Sequence, residues 1–400
     1  MASTLTDTRA TLEHSYVQWL CSHRQIEFIT RFAVMPDGTV RARKEYMNAR
    51  DTREMLSILE RWHISMQSDA NESTEKMQSE LVEKGLAVDD THAQIIVSHI
   101  VNTCERIDRQ DRDVDGVLPR VMINACMHGN VQRDRDTSVS SRSLARCSER
   151  IDIGFVCFAR FSRKFSPERL TMMATIAASR IGCETNDPRV IDCIATAALC
   201  YDALVPRGQQ LSIPPRAYDV MIQKYGATFE GFASPFNSQM MRYMMPGARV
   251  DTLSSIRAYC SIFPHIDAPF GSVGSFFDES VPANGLSNRV SVLNPPFIEK
   301  MMVSMVKKCI ADLARATEPT RIFIVIPNWT DSPYFAMLTT CPYIERQLAL
   351  PANHHYIDAM RADLPISMRI SQFLFVLSRN CHDTREHMYE DIIEAFQYSE

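Results

Sequence analysis

The tetrapeptide Asn294-Pro295-Pro296-Phe297 contains the residue types best suited to act on an amino group of a nucleic-acid base. The Asn294 side-chain oxygen and the Pro295 carbonyl oxygen can each accept one N–H of that amine. The amino group of adenine is a poor nucleophile because its electron pair is delocalised into the ring. Two acceptors would hold the amine and stabilise the positive charge that develops on nitrogen during attack.

The other residues of the tetrapeptide suit the same reaction. Two consecutive prolines fix φ near about −65° and so aim the carbonyl before the substrate arrives. Phe297 offers an aromatic face on which a base can stack. The tetrapeptide therefore predicts methyl transfer to an adenine amine, with S-adenosylmethionine as the donor. The alternative is a Pro-Pro loop that follows a strand and places Phe297 in the core.

Two further stretches are candidates for binding the cofactor. The first follows a predicted strand and consists of Phe232, Ala233, Ser234, Pro235, Phe236 and Asn237. Its polar side chains can supply donors to a ligand, or they can simply cap the next helix. The second is a glycine-containing loop with Phe270, Gly271, Gly274 and Asp278. Its glycines permit close approach of the backbone, and its aspartate could bind a ribose or lie in a surface turn.

These residues need a sheet to position them, and the second half of the sequence predicts one. Short β-type runs are predicted at residues 228–233, 290–293, 321–326 and 372–377, and the last two are almost continuously apolar. A strand of that kind is typical of a sheet buried on both faces. An amphipathic helix over residues 298–316 separates the second run from the third. Strand, helix and strand in this order predict a doubly wound α/β domain, which binds ligands at the carboxyl ends of its strands.

The first half of the sequence has a different hydrophobic pattern. Helical periodicity predicts helices over residues 52–66, 72–102, 168–182 and 189–204. The stretch near residues 105–150 is rich in arginine, aspartate and serine, and we expect a charged surface loop there. We therefore predict a mainly helical N-terminal domain over residues 1–205 and a Rossmann-like domain over residues 206–400.

Composition limits the functional classes. With 43 Lys+Arg and 48 Asp+Glu, the formal net charge of the 400 residues is −5, which excludes a chain-wide polycation but leaves a local basic groove possible. No apolar run approaches the ~18–20 residues that a bilayer span needs. The N-terminus has no apolar signal core, so we expect an intracellular protein of the nucleus or cytoplasm. The 12 cysteines include no C-x-x-C pair, and we expect reduced, mostly buried thiols.

Together, five separated motifs resemble the phosphorylated-CTD-interacting-factor family of cap-specific adenosine-N6 methyltransferases. They are FASPFN, AYCSIFPHIDAPFGSVGSFFD, NPPFIEK, IFIVIPNW and LPANHHY, and they appear in the family's order over about residues 211–380. The resemblance implies a Rossmann-like class I methyltransferase domain preceded by a helical domain. It implies methylation at N6 of the adenosine next to the 7-methylguanosine cap of mRNA, with S-adenosylmethionine as cofactor and the capped 5′ end as partner.

Two features depart from the family pattern. No pair of tryptophans stands at the spacing of a WW module, since Trp19, Trp62 and Trp329 are far apart. We therefore expect no WW module and no implied binding to a phosphorylated polymerase tail. The family's Pro-Glu-Trp appears here as Pro327-Asn328-Trp329, and loss of that carboxylate can alter contacts to the substrate.

Other residues are weaker candidates for contacting the substrate. Trp329 can stack on a base or pack at the rim of the core. His354 and His355 lack a third ligand at metal-binding spacing, so we predict no metal site and consider contact with RNA or a plain loop. Arg41, Arg43 and Lys44 belong to a basic run that can bind phosphates or form a solvated face.

Three hypotheses of function remain at the level of the sequence. The first is a methyltransferase acting on the adenosine beside the cap. The second keeps the reaction but moves it to adenine in DNA or in internal RNA. The third is a non-catalytic RNA-binding subunit that retains the fold.

Overall fold

The computed structural model describes residues 8–42, 49–65, 70–110, 122–127, 130–131, 150–154, 161–204, 210–245, 257–278, 285–359, 363–381 and 389–397. The chain forms two compact units. The first consists of residues 1–125, 151–163 and 191–208, and the second of residues 126–150, 164–190 and 209–400. The predicted division between residues 205 and 206 stays a prediction.

The N-terminal part of the first unit is mostly helical. Its elements are α1 (Thr8–Arg31), β1 (Phe32–Val34), β2 (Val40–Ala42), α2 (Ala49–Ser65), α3 (Ala70–Glu83) and α4 (Asp90–Gln110). Met55, Leu59 and Trp62 of α2 are buried in a core that α3 and α4 share. The periodicity of residues 72–102 predicted one helix, but Gly85 adopts a φ of +68° and ends the first of two.

The stretch near residues 105–150, which we expected to be a charged loop, contains strands. They are β3 (Met122–Met127) and β4 (Asn130–Val131), followed by β5 (Arg150–Gly154) and β6 (Phe161–Lys164). Strand β3 pairs antiparallel with β5. The prediction gave weight to the charged flanks and overlooked the apolar run VMINACM between them. Residues 111–121, 128–129 and 132–149 lie outside the described part of the chain.

The rest of the chain alternates helices and strands. Its elements are α5 (Pro167–Ile181), α6 (Pro188–Leu204), β7 (Leu211–Ser212), α7 (Pro215–Tyr225), β8 (Ala227–Glu230), β9 (Ala258–Tyr259), α8 (Pro264–Asp267), β10 (Val290–Leu293), α9 (Glu299–Arg315), β11 (Thr320–Pro327), α10 (Pro333–Thr339), β12 (Ile344–Ala349), β13 (His355–Asp358), β14 (Leu364–Ser367), β15 (Gln372–Arg379) and α11 (Glu390–Ala395).

A six-stranded sheet is the centre of the second unit. Its strand order is β12-β15-β11-β10-β8-β9. Strands β9, β8, β10 and β11 are parallel to one another, whereas β15 runs antiparallel to both β11 and β12. The sheet is thus mostly parallel, and the unit has a mixed α/β fold. A smaller sheet of order β14-β13-β7 accompanies it.

Helices cover both faces of the six-stranded sheet. One apolar core joins the sheet to α7 and α11, with Val292, Phe323 and Val376 among its strand residues. The other joins the sheet to α9 and α10, with Leu293 and Ile324 among its strand residues. The alternation of side chains along each strand divides the residues between the two cores.

The elements predicted near the tetrapeptide agree with those observed. The apolar runs at 321–326 and 372–377 lie in β11 and β15, and the predicted helix over 298–316 corresponds to α9. The antiparallel direction of β15 was not anticipated. A strand buried on both faces has the same apolar pattern whether it runs parallel or antiparallel to its neighbour. The pattern depends on the helices that cover the sheet and carries no information on strand direction.

Candidate functional site

The tetrapeptide lies at the edge of the sheet where the order of strands reverses. From β8 the chain goes first to β9 on one side and later to β10 on the other. Such a topological switch point opens a crevice at the carboxyl ends of the strands. Residues 231–237 follow β8 and residues 294–297 follow β10, so both segments flank this position.

The backbone of the tetrapeptide reaches the surface. Pro296 is exposed, Asn294 and Phe297 are half-buried, and Pro295 is buried. The Ile298 N–H donates to the Pro296 carbonyl at 2.7 Å. Within the described residues, no N–H or O–H donates to the Pro295 carbonyl. Acceptance of a substrate N–H by this oxygen stays a prediction.

The Asn294 side chain contacts a buried tyrosine, Tyr356. The Tyr356 hydroxyl lies 3.0 Å from Asn294 Oδ1 and 2.8 Å from Gln372 Oε1. Gln372 begins β15, which is antiparallel to β11, so it stands at the same edge as the ends of the parallel strands. Burial raises the pKa of Tyr356, so its hydroxyl keeps its proton at neutral pH.

Gly231 connects β8 to the candidate cofactor loop at a point of close contact. A Cβ atom here would lie 2.2 Å from Leu293 Cδ2, and Leu293 directly precedes Asn294. The Gly231 N–H donates to the Val292 carbonyl at 3.0 Å. The absence of a side chain at this glycine thus lets the two functional segments approach each other.

Glu230, the last residue of β8, organises the segment that follows. It accepts hydrogen bonds from the Tyr218 hydroxyl at 2.6 Å, the Ser238 hydroxyl at 2.7 Å and the Gln239 N–H at 3.0 Å. Burial raises the pKa of this carboxyl group, while the hydrogen bonds from Tyr218 and Ser238 act in the opposite direction. These bonds fix residues 238–240 against the end of the strand.

The polar side chains of the loop 232–237 mostly bind within the loop itself. Ser234 is buried, and its hydroxyl donates to Gln210 Oε1 at 2.7 Å. The Ser234 N–H donates to Asn237 Oδ1 at 2.7 Å, and Asn237 Nδ2 donates to the Leu211 carbonyl at 3.2 Å. These bonds hold the loop in place and do not cap the following 3₁₀ helix at Met240–Tyr243, whose N-cap makes no side-chain bond. Ala233 is half-buried and Pro235 is buried.

Aromatic side chains stand at the open side of this loop. Phe232 is half-buried and packs on Phe276 with ring centroids 4.8 Å apart. Phe277 contacts the Phe232 ring edge-on at 5.8 Å and is 40% exposed. These faces are suited to stacking on a purine.

The glycine-containing loop contributes backbone more than side chains. Phe270 is completely buried, and Gly271 adopts a φ of +101° beside Met244, where a Cβ atom would meet Met244 Cε. The Gly274 carbonyl accepts the Ser261 N–H at 3.0 Å, which holds the loop along the end of β9. Asp278 is exposed.

The structure places the weaker substrate candidates as follows. Trp329 follows β11, is half-buried and lies 6.3 Å from the Tyr334 ring. His354 is buried and its Nδ1 lies 3.0 Å from the Pro351 carbonyl, whereas the half-buried His355 belongs to β13. Arg41 is exposed on β2 in the first unit. Arg43 and Lys44 lie outside the described residues.

Other features of the described residues bear on cofactors and partners. No group of three potential ligand side chains there is arranged to hold a metal ion. No helix there has both the length and the apolarity that crossing a bilayer requires. The eight cysteines whose side chains the structure describes are free thiols. A cavity of about 410 Å³ beside the start of α5 is lined by Glu168, Met172 and Arg242, and the tetrapeptide is not part of its wall.

Comparison with known proteins identifies relatives over the same part of the chain. Residues 195–359 match the family model described as "Phosphorylated CTD interacting factor 1 WW domain". The resemblance to this family is confirmed. Two curated relatives, from Mus musculus and Homo sapiens, are named mRNA (2′-O-methyladenosine-N(6)-)-methyltransferase. Each is 32% identical over 150 residues, which are 37% of this chain but only 18% of the relative.

The description of the family corrects one prediction. It names a WW domain, whereas the sequence analysis expected no WW module. That expectation rested on the spacing of tryptophans, and the matched segment contains Trp329 alone of the three. The match follows the strands and helices around the sheet and not a tryptophan pair. The argument against binding to a polymerase tail used the same tryptophan count and is withdrawn with it.

Sequence reasoning missed several residues that shape the site. Glu230 and Gly231 carry a recognisable signal, since an acidic residue and a glycine interrupt the predicted strand at residues 228–233. Tyr356 belongs to the family motif LPANHHY but was given no role, and Gln372 carries no signal. They reach Asn294 from positions 62 and 78 residues further along the sequence, and only the fold brings them there.

Proposed function

We propose that this protein is an S-adenosylmethionine-dependent methyltransferase that methylates N6 of the adenosine adjacent to the 7-methylguanosine cap of mRNA. The observation that carries the proposal is the position of Asn294-Pro295-Pro296-Phe297 at the carboxyl edge of the sheet, beside the switch point. The names of the two curated relatives supply the substrate class. Because the match spans less than a fifth of their length, activity and substrate are proposed here for this chain.

The order and direction of the strands support a Rossmann-like class I methyltransferase domain. Helices cover both faces of a mostly parallel sheet, and the candidate ligand loops follow β8 and β10 at its carboxyl edge. This is where doubly wound folds bind nucleotide-like ligands. We propose that this domain extends over residues 206–400, preceded by a mainly helical domain over residues 1–205.

The residues around the switch point fit an adenosine-containing cofactor. Phe232 and Phe277 present partly exposed aromatic faces to a purine, and the exposed Asp278 carboxylate can accept hydrogen bonds from ribose hydroxyls. When bound, S-adenosylmethionine supplies an electrophilic methyl group on a sulfonium. We assign the loop 232–237 and the loop 270–278 to this ligand, mainly through their backbone and aromatic rings.

The tetrapeptide binds the adenine amine and stabilises the charge that develops on it. Asn294 Oδ1 and the Pro295 carbonyl accept the two N–H groups of the adenine amine. Both acceptors gain strength as positive charge develops on that nitrogen, so they lower the barrier more than they tighten ground-state binding. The half-buried Phe297 limits the base to one plane by stacking.

A cap-proximal nucleotide is an accessible substrate for such a shallow site. A base inside a duplex must be extruded at a cost of a few kcal/mol, whereas a nucleotide at the 5′ end needs little unstacking. Trp329 and the basic residue Arg41 stay candidate contacts to RNA within this proposal.

Labelled methyl transfer to matched oligonucleotides tests the function. We expect incorporation into a capped RNA that begins with adenosine, and little into the same RNA without a cap or into DNA. Equal incorporation into uncapped RNA or DNA would favour the broader adenine methyltransferase. No incorporation, together with no binding of the cofactor in calorimetry, would favour a non-catalytic subunit.

A further inference from the structure

A buried series of polar side chains leads from His354 to the tetrapeptide. Tyr356 and Gln372 are almost completely buried, as is His354. The Tyr356 hydroxyl contacts the side-chain amides of both Asn294 and Gln372, at 3.0 and 2.8 Å. The His354 and Tyr356 rings pack edge-on with centroids 5.8 Å apart. The four side chains therefore belong to one network at the edge of the sheet.

A count of protons shows that one amide must turn. The Tyr356 hydroxyl carries one proton and can donate it once. Carboxamide oxygens of Asn294 and Gln372 both face it, and neither oxygen can donate. A rotation of 180° exchanges the oxygen and nitrogen of an amide with little change in shape. Either Asn294 or Gln372 must therefore present its nitrogen to the tyrosine.

His354 decides which amide turns. Its Nδ1 lies 3.0 Å from the Pro351 carbonyl oxygen, an acceptor, so this nitrogen carries the proton of the neutral ring. Its Nε2 is then an acceptor, and it is buried without a partner among the described residues. The Gln372 Nε2 donor is buried without a partner in the same part of the structure. Both side chains lie against Tyr356, since Gln372 Oε1 is 2.8 Å from its hydroxyl and the His354 ring packs edge-on against its ring.

Gln372 therefore keeps its present orientation. A hydrogen bond from its Nε2 to His354 Nε2 would satisfy a buried donor and a buried acceptor together, each of which costs about 1–3 kcal/mol if left unpaired. The reverse orientation would set an amide oxygen against a ring nitrogen that has no proton. With Gln372 fixed, its Oε1 takes the proton of the Tyr356 hydroxyl.

We infer that His354, Gln372 and Tyr356 are positioning residues that fix the rotation of the Asn294 carboxamide. Asn294 Nδ2 donates to the Tyr356 oxygen, and Asn294 Oδ1 turns toward the open edge beside the Pro295 carbonyl. The inference rests on the proposed function, because it assigns supporting residues to the same amine-binding site. Two acceptors aimed in advance select a group with two N–H donors, which is what the adenine amine offers.

Replacing the tyrosine tests this network kinetically. Tyr356→Phe keeps the ring and removes the hydroxyl, so the Asn294 amide loses its fixed rotation. We expect kcat on capped RNA to fall about 10- to 100-fold, as misplacement of a catalytic group does, with the KM for S-adenosylmethionine unchanged. Tyr343→Phe is the matched control, since it removes a hydroxyl from the same unit without touching the network, and we expect full activity.

A spectroscopic measurement separates this inference from the proposed function. In full-length protein labelled with ¹⁵N-asparagine, the Asn294 side-chain amide is assigned by its absence in Asn294→Ala. We expect one of its protons to exchange slowly with water, and about 10-fold faster in Tyr356→Phe. Unchanged exchange and unchanged kcat in Tyr356→Phe would overturn the network. A slowly exchanging amide in a wild-type protein that methylates no adenine would support the network and overturn the proposed function alone.

Discussion

At the scale of single residues, the account places most of the chemistry on Asn294. Its carboxamide is half-buried at the carboxyl end of β10, with Tyr356 on one side and the surface on the other. The adjacent Pro295 carbonyl accepts no hydrogen bond within the described residues. With the Asn294 carboxamide turned as proposed, the site presents two oxygen acceptors at the end of one strand.

Truncating Asn294 should remove catalysis while leaving the fold intact. In Asn294→Ala we expect kcat to fall by about 100-fold or more, as loss of an oriented polar group in a transition-state site does. The half-buried position predicts only a small loss of stability. Single-turnover methyl transfer and thermal unfolding measure the two effects. Gln347→Ala, which removes an exposed amide from β12, is the control, and an equal loss of kcat there would contradict a special role for Asn294.

Phe297 should contribute through its ring and not through its size. Phe297→Leu keeps an apolar side chain against the core next to α9 but removes the aromatic face. Stacking on a base is worth roughly 1–3 kcal/mol, so we expect weaker binding of capped RNA by about 5- to 150-fold. Phe297→Tyr keeps the face and serves as the control. If leucine and tyrosine bind RNA equally well, Phe297 is a core residue only.

At the scale of elements, two loops after neighbouring parallel strands build the site. Gly231 allows them to approach, because any Cβ at this position would collide with Leu293 Cδ2. Overpacking of this kind costs typically 1–3 kcal/mol. We therefore expect Gly231→Ala to lower the free energy of unfolding by about that amount and also to displace Asn294. Urea unfolding with a parallel activity assay checks both effects. Gly285→Ala is the control for destabilisation alone, since its left-handed φ of +63° should lower stability without displacing Asn294, and we expect its activity to stay unchanged.

Glu230 should make stability depend on pH. Burial raises the pKa of this carboxyl group above its ordinary value of 4.5. The folded state therefore binds the proton more tightly than the unfolded state does, and stability falls as the pH rises through the raised pKa. Glu230→Gln keeps acceptors for the backbone N–H groups and removes the titration. We expect the stability of the wild type relative to this variant to be highest below about pH 4.5 and to decrease above it. A constant difference across the titration would contradict the raised pKa.

The sequence predicts these elements better than it predicts their contacts. The apolar runs of β11 and β15 and the periodicity of α9 are local signals, and each led to the correct element. The antiparallel direction of β15 and the split of α3 from α4 depend on packing partners and on one glycine φ. Ser234 and Asn237 illustrate the same limit at the site. Their types suit ligand binding, but their polar atoms bind Gln210 and Leu211.

For the molecule as a whole, RNA binding depends on groups outside the tetrapeptide. The family match over residues 195–359 covers five of the six strands of the sheet, and the separate 150-residue alignment corresponds to 18% of each curated relative. Because the net charge is −5, any electrostatic attraction of RNA must come from local basic groups. We therefore expect binding of capped RNA to weaken as the salt concentration increases. Titrations of capped RNA at two salt concentrations measure this slope. A slope near zero would contradict contacts to phosphates.

Mass spectrometry of the cap after the reaction identifies the atom that receives the methyl group. Capped RNA beginning with adenosine is incubated with S-adenosylmethionine and either wild-type protein or Asn294→Ala, and the released cap is analysed by fragmentation. The account predicts an added methyl group on N6 of the first adenosine with the wild type and none with the variant. Methylation at another atom or nucleotide, or equal methylation by the two proteins, would contradict it.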